Sequence, residues 1–206
     1  RHIIFMSSHK GAENMNSLQK RILKDGKVIG GDILKVDSFL NHQIDVSLLE
    51  DMGSDFYELF KDCNINKILT IEASGIAIAC FAAQKFKVPV VFAKKGYHKN
   101  VGSDVYTAEV FSFTKGTSYT VSVSKAYLNE GDRVLVIDDF LANGQAVLGL
   151  KKIIADAGAE LCGCGIAIEK GFQKGGKELR KEGINVKSLA IVESMDNGKI
   201  VFRDEN

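Results

Sequence analysis

Apolar and polar positions recur along the chain with two different periods, and the switches between them mark its elements. From Met15 to Lys24 the apolar residues Leu18, Ile22 and Leu23 fall at helical spacing, which predicts a short amphipathic helix ending near Gly26. The segment ILKVDSFLNHQID that follows has no clean period. Asp45 reads as the N-cap of a helix in which Leu48, Leu49, Met52, Phe56, Leu59 and Phe60 share one face. Lys67 to Glu72 is a predicted strand, Gly75 to Lys85 a mostly apolar helix and Val88 to Ala93 a second strand, together a right-handed βαβ unit with a parallel pair. Tyr106 to Phe113 and Tyr119 to Val123, rich in aromatic and β-branched residues around Lys115-Gly116, predict an antiparallel hairpin. Beyond it come a strand from Arg133 to Ile137, a helix from Ala146 to Asp156 closed by Gly158, and a buried strand from Leu161 to Ile168. The tail reads as a helix around Lys177 to Glu182, a strand from Val186 to Val192, and a last hairpin turned at Asp196-Asn197-Gly198.

Strands alternating with helices predict an α/β fold, a mostly parallel sheet flanked by helices. With 206 residues, 45% apolar and 26% charged, the chain fits one globular domain and excludes two large ones. Residues 15–206 are expected to form it, with a hood from about residue 15 to 45 completed by the C-terminal part. RHIIFMSSHKGAEN, residues 1–14, has no periodicity and reads as a non-core extension, a remnant or alternative start. A balance of 27 Lys and Arg against 26 Asp and Glu offers no general attraction to nucleic acid or anionic membrane, so any anion must be held by a local site. No apolar run reaches the roughly 18 residues needed to cross a bilayer, and no leader pattern is visible, so a soluble, cytoplasmic protein is expected. Cys63, Cys80, Cys162 and Cys164 read as small buried hydrophobes rather than metal ligands or disulfides. KKGYHKNVGSD, Lys94 to Asp104, has no apolar period and reads as a mobile loop, its length that of a lid.

The chemistry concentrates in VLVIDDFLANGQA, Val134 to Ala146, where a strand ends in two acids, a short loop holds Asn143 and Gly144, and a helix follows. Ligands of open parallel sheets sit at the strands' carboxyl ends, where a helix start presents unpaired N–H groups. Ala142, Asn143, Gly144, Gln145 and Ala146 would wrap a phosphate with backbone amides, and Gly144 permits a positive φ. Asp138 and Asp139 can accept hydrogen bonds from sugar hydroxyls or hold Mg²⁺ through water, with no direct metal ligation expected. A second turn, Ala73, Ser74 and Gly75, leads from a strand into a helix and suits pyrophosphate, with a strained or cis peptide compatible there. Lys94, Lys95 and Lys99 supply cations beside it.

The stretches KVDSFLNHQID, IEASGIA, IDDFLANGQA and IEKGFQKG, in this order, resemble the type I phosphoribosyltransferases, and within them the bacterial branch that acts on xanthine. The likeness spans Met15 to Asp204. It implies the type I phosphoribosyltransferase fold with a hood and a flexible lid hairpin, and the joining of a purine to 5-phosphoribosyl-1-pyrophosphate (PRPP), with Mg²⁺, to give a nucleoside monophosphate and pyrophosphate. It also implies a homodimer and a place in purine salvage. Residue by residue, Ala142 to Ala146 match the PRPP loop, Asp138 and Asp139 the ribose-binding acids, and Leu34, Asn41 and Lys170 the xanthine contacts. Xanthine carries carbonyl acceptors at C2 and C6, so donors such as the Lys170 ammonium and the Asn41 amide suit it. Leu34 can cover the ring face and Phe172 can stack on it. Where the family's phosphate loop usually has Thr or Ser hydroxyls, this chain has Ala142 and Asn143, which leaves more of the contact to backbone amides.

Three other readings compete. A hypoxanthine or guanine enzyme of the same fold differs by base preference. A PRPP-sensing regulator would carry a DNA-binding module, and no helix-turn-helix pattern or basic stripe is visible. A dinucleotide oxidoreductase needs G-x-G-x-x-G between strand and helix, and Cys162-Gly163-Cys164-Gly165 lies inside a strand pattern.

Overall fold

A computed structural model describes residues 14–96, 104–113 and 116–203. The order is α1 (Ser17–Asp25), β1 (Lys27–Ile29), β2 (Ile33–Lys35), α2 (Val46–Phe60), β3 (Lys67–Ile71), α3 (Ser74–Phe86) and β4 (Val90–Lys95), then β5 (Val105–Ser112) and β6 (Thr117–Ser124). There follow β7 (Arg133–Leu141), α4 (Gln145–Asp156), β8 (Glu160–Lys170), α5 (Gly175–Lys181), β9 (Val186–Ser194) and β10 (Val201–Phe202). Among the described residues, eight strands form one sheet in the order β10-β9-β8-β7-β3-β4-β6-β5. The five central strands from β9 to β4 run parallel, while β10, β6 and β5 join antiparallel.

Alternate residues of the central strands feed two apolar layers. Leu135 and Ile137 face the cluster built with α1, α2 and α3, whereas Val134 and Val136 face the cluster of α4, α5 and the β5–β6 hairpin. A strand covered on both faces reads as a continuous apolar run, as VLVI does. The glycines of β8 point to the first layer: a methyl at Gly163 would lie 2.5 Å from Phe60 and one at Gly165 2.9 Å from Phe56. The C-G-C-G stretch therefore marks where α2 lies against the sheet, and Cys164 fills the other face.

Several expectations are corrected. The aperiodic stretch before Asp45 holds a β1–β2 hairpin and a π-helical turn at Asp37–Asn41, elements too short to show a period. Leu59, at 41% exposure, and Leu23 border an open groove beside α1 and α2 rather than the core. Cys164 is buried, but Cys80 is exposed and Cys63 and Cys162 are half-buried; all four are free thiols. Lys94 and Lys95 end strand β4 and pair with Ser122 and Val121 of β6 instead of opening a loop. β7 runs on to Leu141, so both acids lie within the strand. Residues 97–103 of the expected lid, Lys99 among them, and residues 114–115 of the hairpin turn lie outside the described residues, as do residues 1–13 and 204–206.

Gly165→Ala is expected to destabilise the fold by about 1–3 kcal/mol, because the added methyl meets Phe56 and Ile137 in a layer with no slack. Chemical denaturation checks this, and the midpoint should fall with an unchanged slope.

Candidate active site

Five parallel strands end on one side of the sheet, and the acids and the turns that open α3 and α4 lie there. Asp138 is 9% exposed, and its Oδ1 accepts a hydrogen bond from the Asp139 amide at 3.0 Å. Burial pushes the Asp138 carboxyl well above the usual carboxylate range, and the adjacent Asp139 charge adds to the rise. Tyr119 of β6 lies in the same field: burial and then the Asp138 charge raise its phenol. The Lys95 ammonium sits 5.6 Å from the centre of that ring.

Two helices start beside the acids, and neither has a side-chain cap. α3 follows Ala73 and α4 follows Gly144, which adopts φ +79°. By contrast α1 is closed by a capping box of Asn16 with Gln19, and at α2 Asp45 accepts from the Leu48 amide at 3.1 Å. First-turn amides without an acceptor, together with the positive end of the helix dipole, make an anion site. α1 and α2 are thus capped by side chains, while α3, α4 and the short α5 start without one.

Both turns are braced from behind. The Glu72–Ala73 peptide is cis, and Glu72 Oε1 accepts from the Lys95 amide at 2.7 Å, tying the turn to β4. A methyl on Gly75 would lie 2.1 Å from Thr70 Oγ1 and 3.5 Å from Asp138 Oδ1, so this turn seats directly over the acid. Behind the second turn, Gly175 N donates to Ala142 O at 3.0 Å, and a methyl on Gly175 would come within 2.4 Å of that oxygen. Only a glycine permits this approach.

On the base side, Lys170 Nζ donates to Asp32 O at 2.9 Å, which brings the end of β8 against the β1–β2 turn. Leu34, 6% exposed, belongs with Val36, Phe39 and Leu40 to the apolar layer that also holds α1, α2, α3 and one face of the sheet. Asn41 is exposed at the end of the π-helical turn, and Phe172 is 43% exposed just past Lys170. Sequence reasoning missed the supporting residues Thr70, Glu72, Tyr119 and Gly175. The paired glycines at 175–176, between a strand and a helix, are the one signal that could have flagged a close backbone approach.

Residues 35–204 match the family described as the phosphoribosyl transferase domain. The chain belongs to the phosphoribosyltransferase family. Xanthine phosphoribosyltransferase of Ruminiclostridium cellulolyticum is 63% identical over 190 residues, covering 92% of this chain and all of the relative. That of Clostridioides difficile is 57% identical over the same shares. Among solved structures, the adenine phosphoribosyltransferase of Giardia lamblia complexed with 9-deazaadenine superposes with a TM-score of 0.70 at 21% identity, over 84% of this chain and 96% of that one. The Trypanosoma brucei adenine enzyme gives 0.69 at 18% identity, over 82% and 77%. These last two speak for the phosphoribosyltransferase fold alone.

Because the folded chain holds Asp138 above the ordinary carboxyl value of about 3.9, folding disfavours its ionisation, and stability falls as pH rises through the shifted value. Asp138→Asn keeps the acceptor for the Asp139 amide and removes that penalty. The variant is expected to melt about 2–4 °C higher than the parent at pH 8, the response to ~1 kcal/mol in a domain of this size. The gap should close toward pH 4 in a series of thermal melts.

Proposed function

We propose that the chain is a xanthine phosphoribosyltransferase of purine salvage, a pentosyltransferase that converts xanthine and PRPP to xanthosine 5′-monophosphate and pyrophosphate. The observation that carries the chemistry is the acid pair, buried Asp138 beside half-buried Asp139, set between two helix starts without side-chain caps. The choice of base rests on the full-length relatives, with Lys170 and the hood in keeping with it.

In this reading the amides of Ala142 to Ala146 hold the 5-phosphate, and those of Ala73, Ser74 and Gly75 take the pyrophosphate, flanked by Lys94 and Lys95. Lys170 and Asn41 donate to the xanthine carbonyls, with Leu34 and Phe172 against the ring. Lys170 exchanges its Asp32 carbonyl for the base. Asp138 and Asp139 accept from the ribose hydroxyls. As the C1–oxygen bond to pyrophosphate breaks and the purine nitrogen bonds to C1, positive charge grows on the sugar. A carboxylate strained by burial gains most when that charge appears, so its interaction is stronger in the transition state than in the ground state. No protein nucleophile is required.

Mg²⁺ suits this donor set as a partner of the substrate. Among the described residues no cluster of three His, Cys, Asp or Glu could cage an ion, but the acid pair can meet one through water while phosphate oxygens supply the other ligands. Held there, the ion would supply positive charge against the departing pyrophosphate. Residues 15–206 act as a single domain, residues 1–14 stand outside it, and a cytoplasmic homodimer completes the reading. Among the described residues no helix is long and apolar enough to cross a membrane.

Purified protein given PRPP and Mg²⁺ is expected to show its highest kcat/KM on xanthine when xanthine, guanine and hypoxanthine are offered separately. A clear preference for hypoxanthine or guanine would replace the base assignment, and PRPP binding without turnover on any base would make the chain a sensor. The double variant Asp138→Asn with Asp139→Asn should lose about 100-fold or more in kcat, as expected when groups acting on developing charge are removed, while still folding. Near-parental turnover would remove the acids from the mechanism.

A further inference from the structure

Glu169 is 2% exposed at the last position but one of β8, a depth at which a carboxylate needs partners. It has three. Arg180 of α5 donates from Nη1 to Oε1 and from Nη2 to Oε2, both at 2.7 Å, and Ser188 Oγ of β9 donates to Oε2 at 2.5 Å. Arg180 Nε also donates to Val186 O at 3.3 Å. One carboxylate therefore ties the end of β8 to α5 and to β9. Burial opposes its ionisation, but the Arg180 and Ser188 hydrogen bonds hold the carboxyl below the usual range.

Two substrate-facing parts lean on this contact. Lys170 is the next residue, and alternation along the strand turns its side chain to the opposite face, where it meets Asp32 O. On the other side, α5 opens with Gly175 and Gly176. A methyl at Gly176 would lie 1.9 Å from Glu169 Oε1, and one at Gly175 would lie 2.4 Å from Ala142 O. The first turn of α5 is thus wedged between the ion pair and the phosphate loop.

We infer that the Glu169–Arg180 ion pair, with Ser188, is a positioning device that registers the base-side lysine and the phosphate loop against each other. Glu169 and Arg180 would reach neither substrate. They would hold the Lys170 ammonium and the loop amides where each meets its own ligand, so that losing the pair weakens both subsites together. The inference rests on the roles proposed above for Lys170 and for residues 142–146.

The test is Glu169→Gln, which keeps the side chain's size and removes its charge. KM for xanthine and the Kd of PRPP, measured by calorimetry with Mg²⁺, are both expected to rise about 10-fold, as one weakened hydrogen bond in each subsite would give, while kcat changes by less than about 3-fold. Arg180→Lys, which restores the charge without the two-pronged contact, should lie between parent and Glu169→Gln in both constants. A rise in one constant alone, or a fall in kcat with both constants unchanged, overturns the inference, since the latter is what a smaller folded fraction produces. Should Glu169→Gln not fold, Ser188→Ala keeps the ion pair and should raise both constants about 2–3-fold, and no change in either overturns the device. The parent enzyme serves as the control on the reaction. If it binds PRPP yet makes no nucleotide from xanthine, the assigned function fails, while the PRPP Kd of the variants still decides the clamp's link to the phosphate loop.

Discussion

Asp138 occupies the middle of a sheet that is covered on both faces, in the strand between β3 and β8, and a carboxyl there opposes folding unless its surroundings answer it. The answer is local. The Asp139 amide donates to it, and the helices that leave β3 and β7 begin beside it with their positive ends. Those same helix starts are the anion-binding turns. Any shift of β7 against its neighbours would move the acids relative to both turns at once, so the central sheet register and the active-site geometry are one constraint.

The scaffold is divided accordingly. α1 and α2 close their own amides with Asn16 and Asp45, and they bury Leu18, Ile22, Leu49, Met52 and Phe56 against the sheet. Their contribution is packing. α3 and α4 instead leave first-turn donors to a ligand and are held in place from behind, by Glu72 on the Lys95 amide and by Gly175 on Ala142. Where function asks a helix to forgo a cap, typically a matter of about 1 kcal/mol, the neighbouring contacts restore the order that the cap would have given.

Much of this was legible in the chain. Long apolar runs bounded by turn residues placed β3, β7 and β8 and their helices, because strands covered on both faces and helices packed on them leave strong periodic signals. The acid pair and its loop were visible for the same reason, as polar residues interrupting a buried strand. The hood was not, since three-residue strands and a single π-helical turn carry no period. Leu59 looked like a core residue from spacing alone, but it borders the open groove beside α1. Glu72, Thr70 and the Glu169–Arg180 pair were invisible because their roles arise from contacts between elements distant in sequence.

The phosphate loop shows where such contacts outweigh the side chains of the motif itself. In the proposed reading, with Ala142 and Asn143 in place of hydroxyl residues, the loop would recognise its ligand through backbone amides and the Asn143 side chain, and amides bind only if they point the right way. Their direction is set by the positive φ at Gly144 and by Gly175 packed behind it, neither of which offers a side chain to the ligand. In that reading binding strength would reside largely in the shape of a loop and in the elements that press on it, and the inferred positioning role of the Glu169–Arg180 pair on α5 follows from the same constraint.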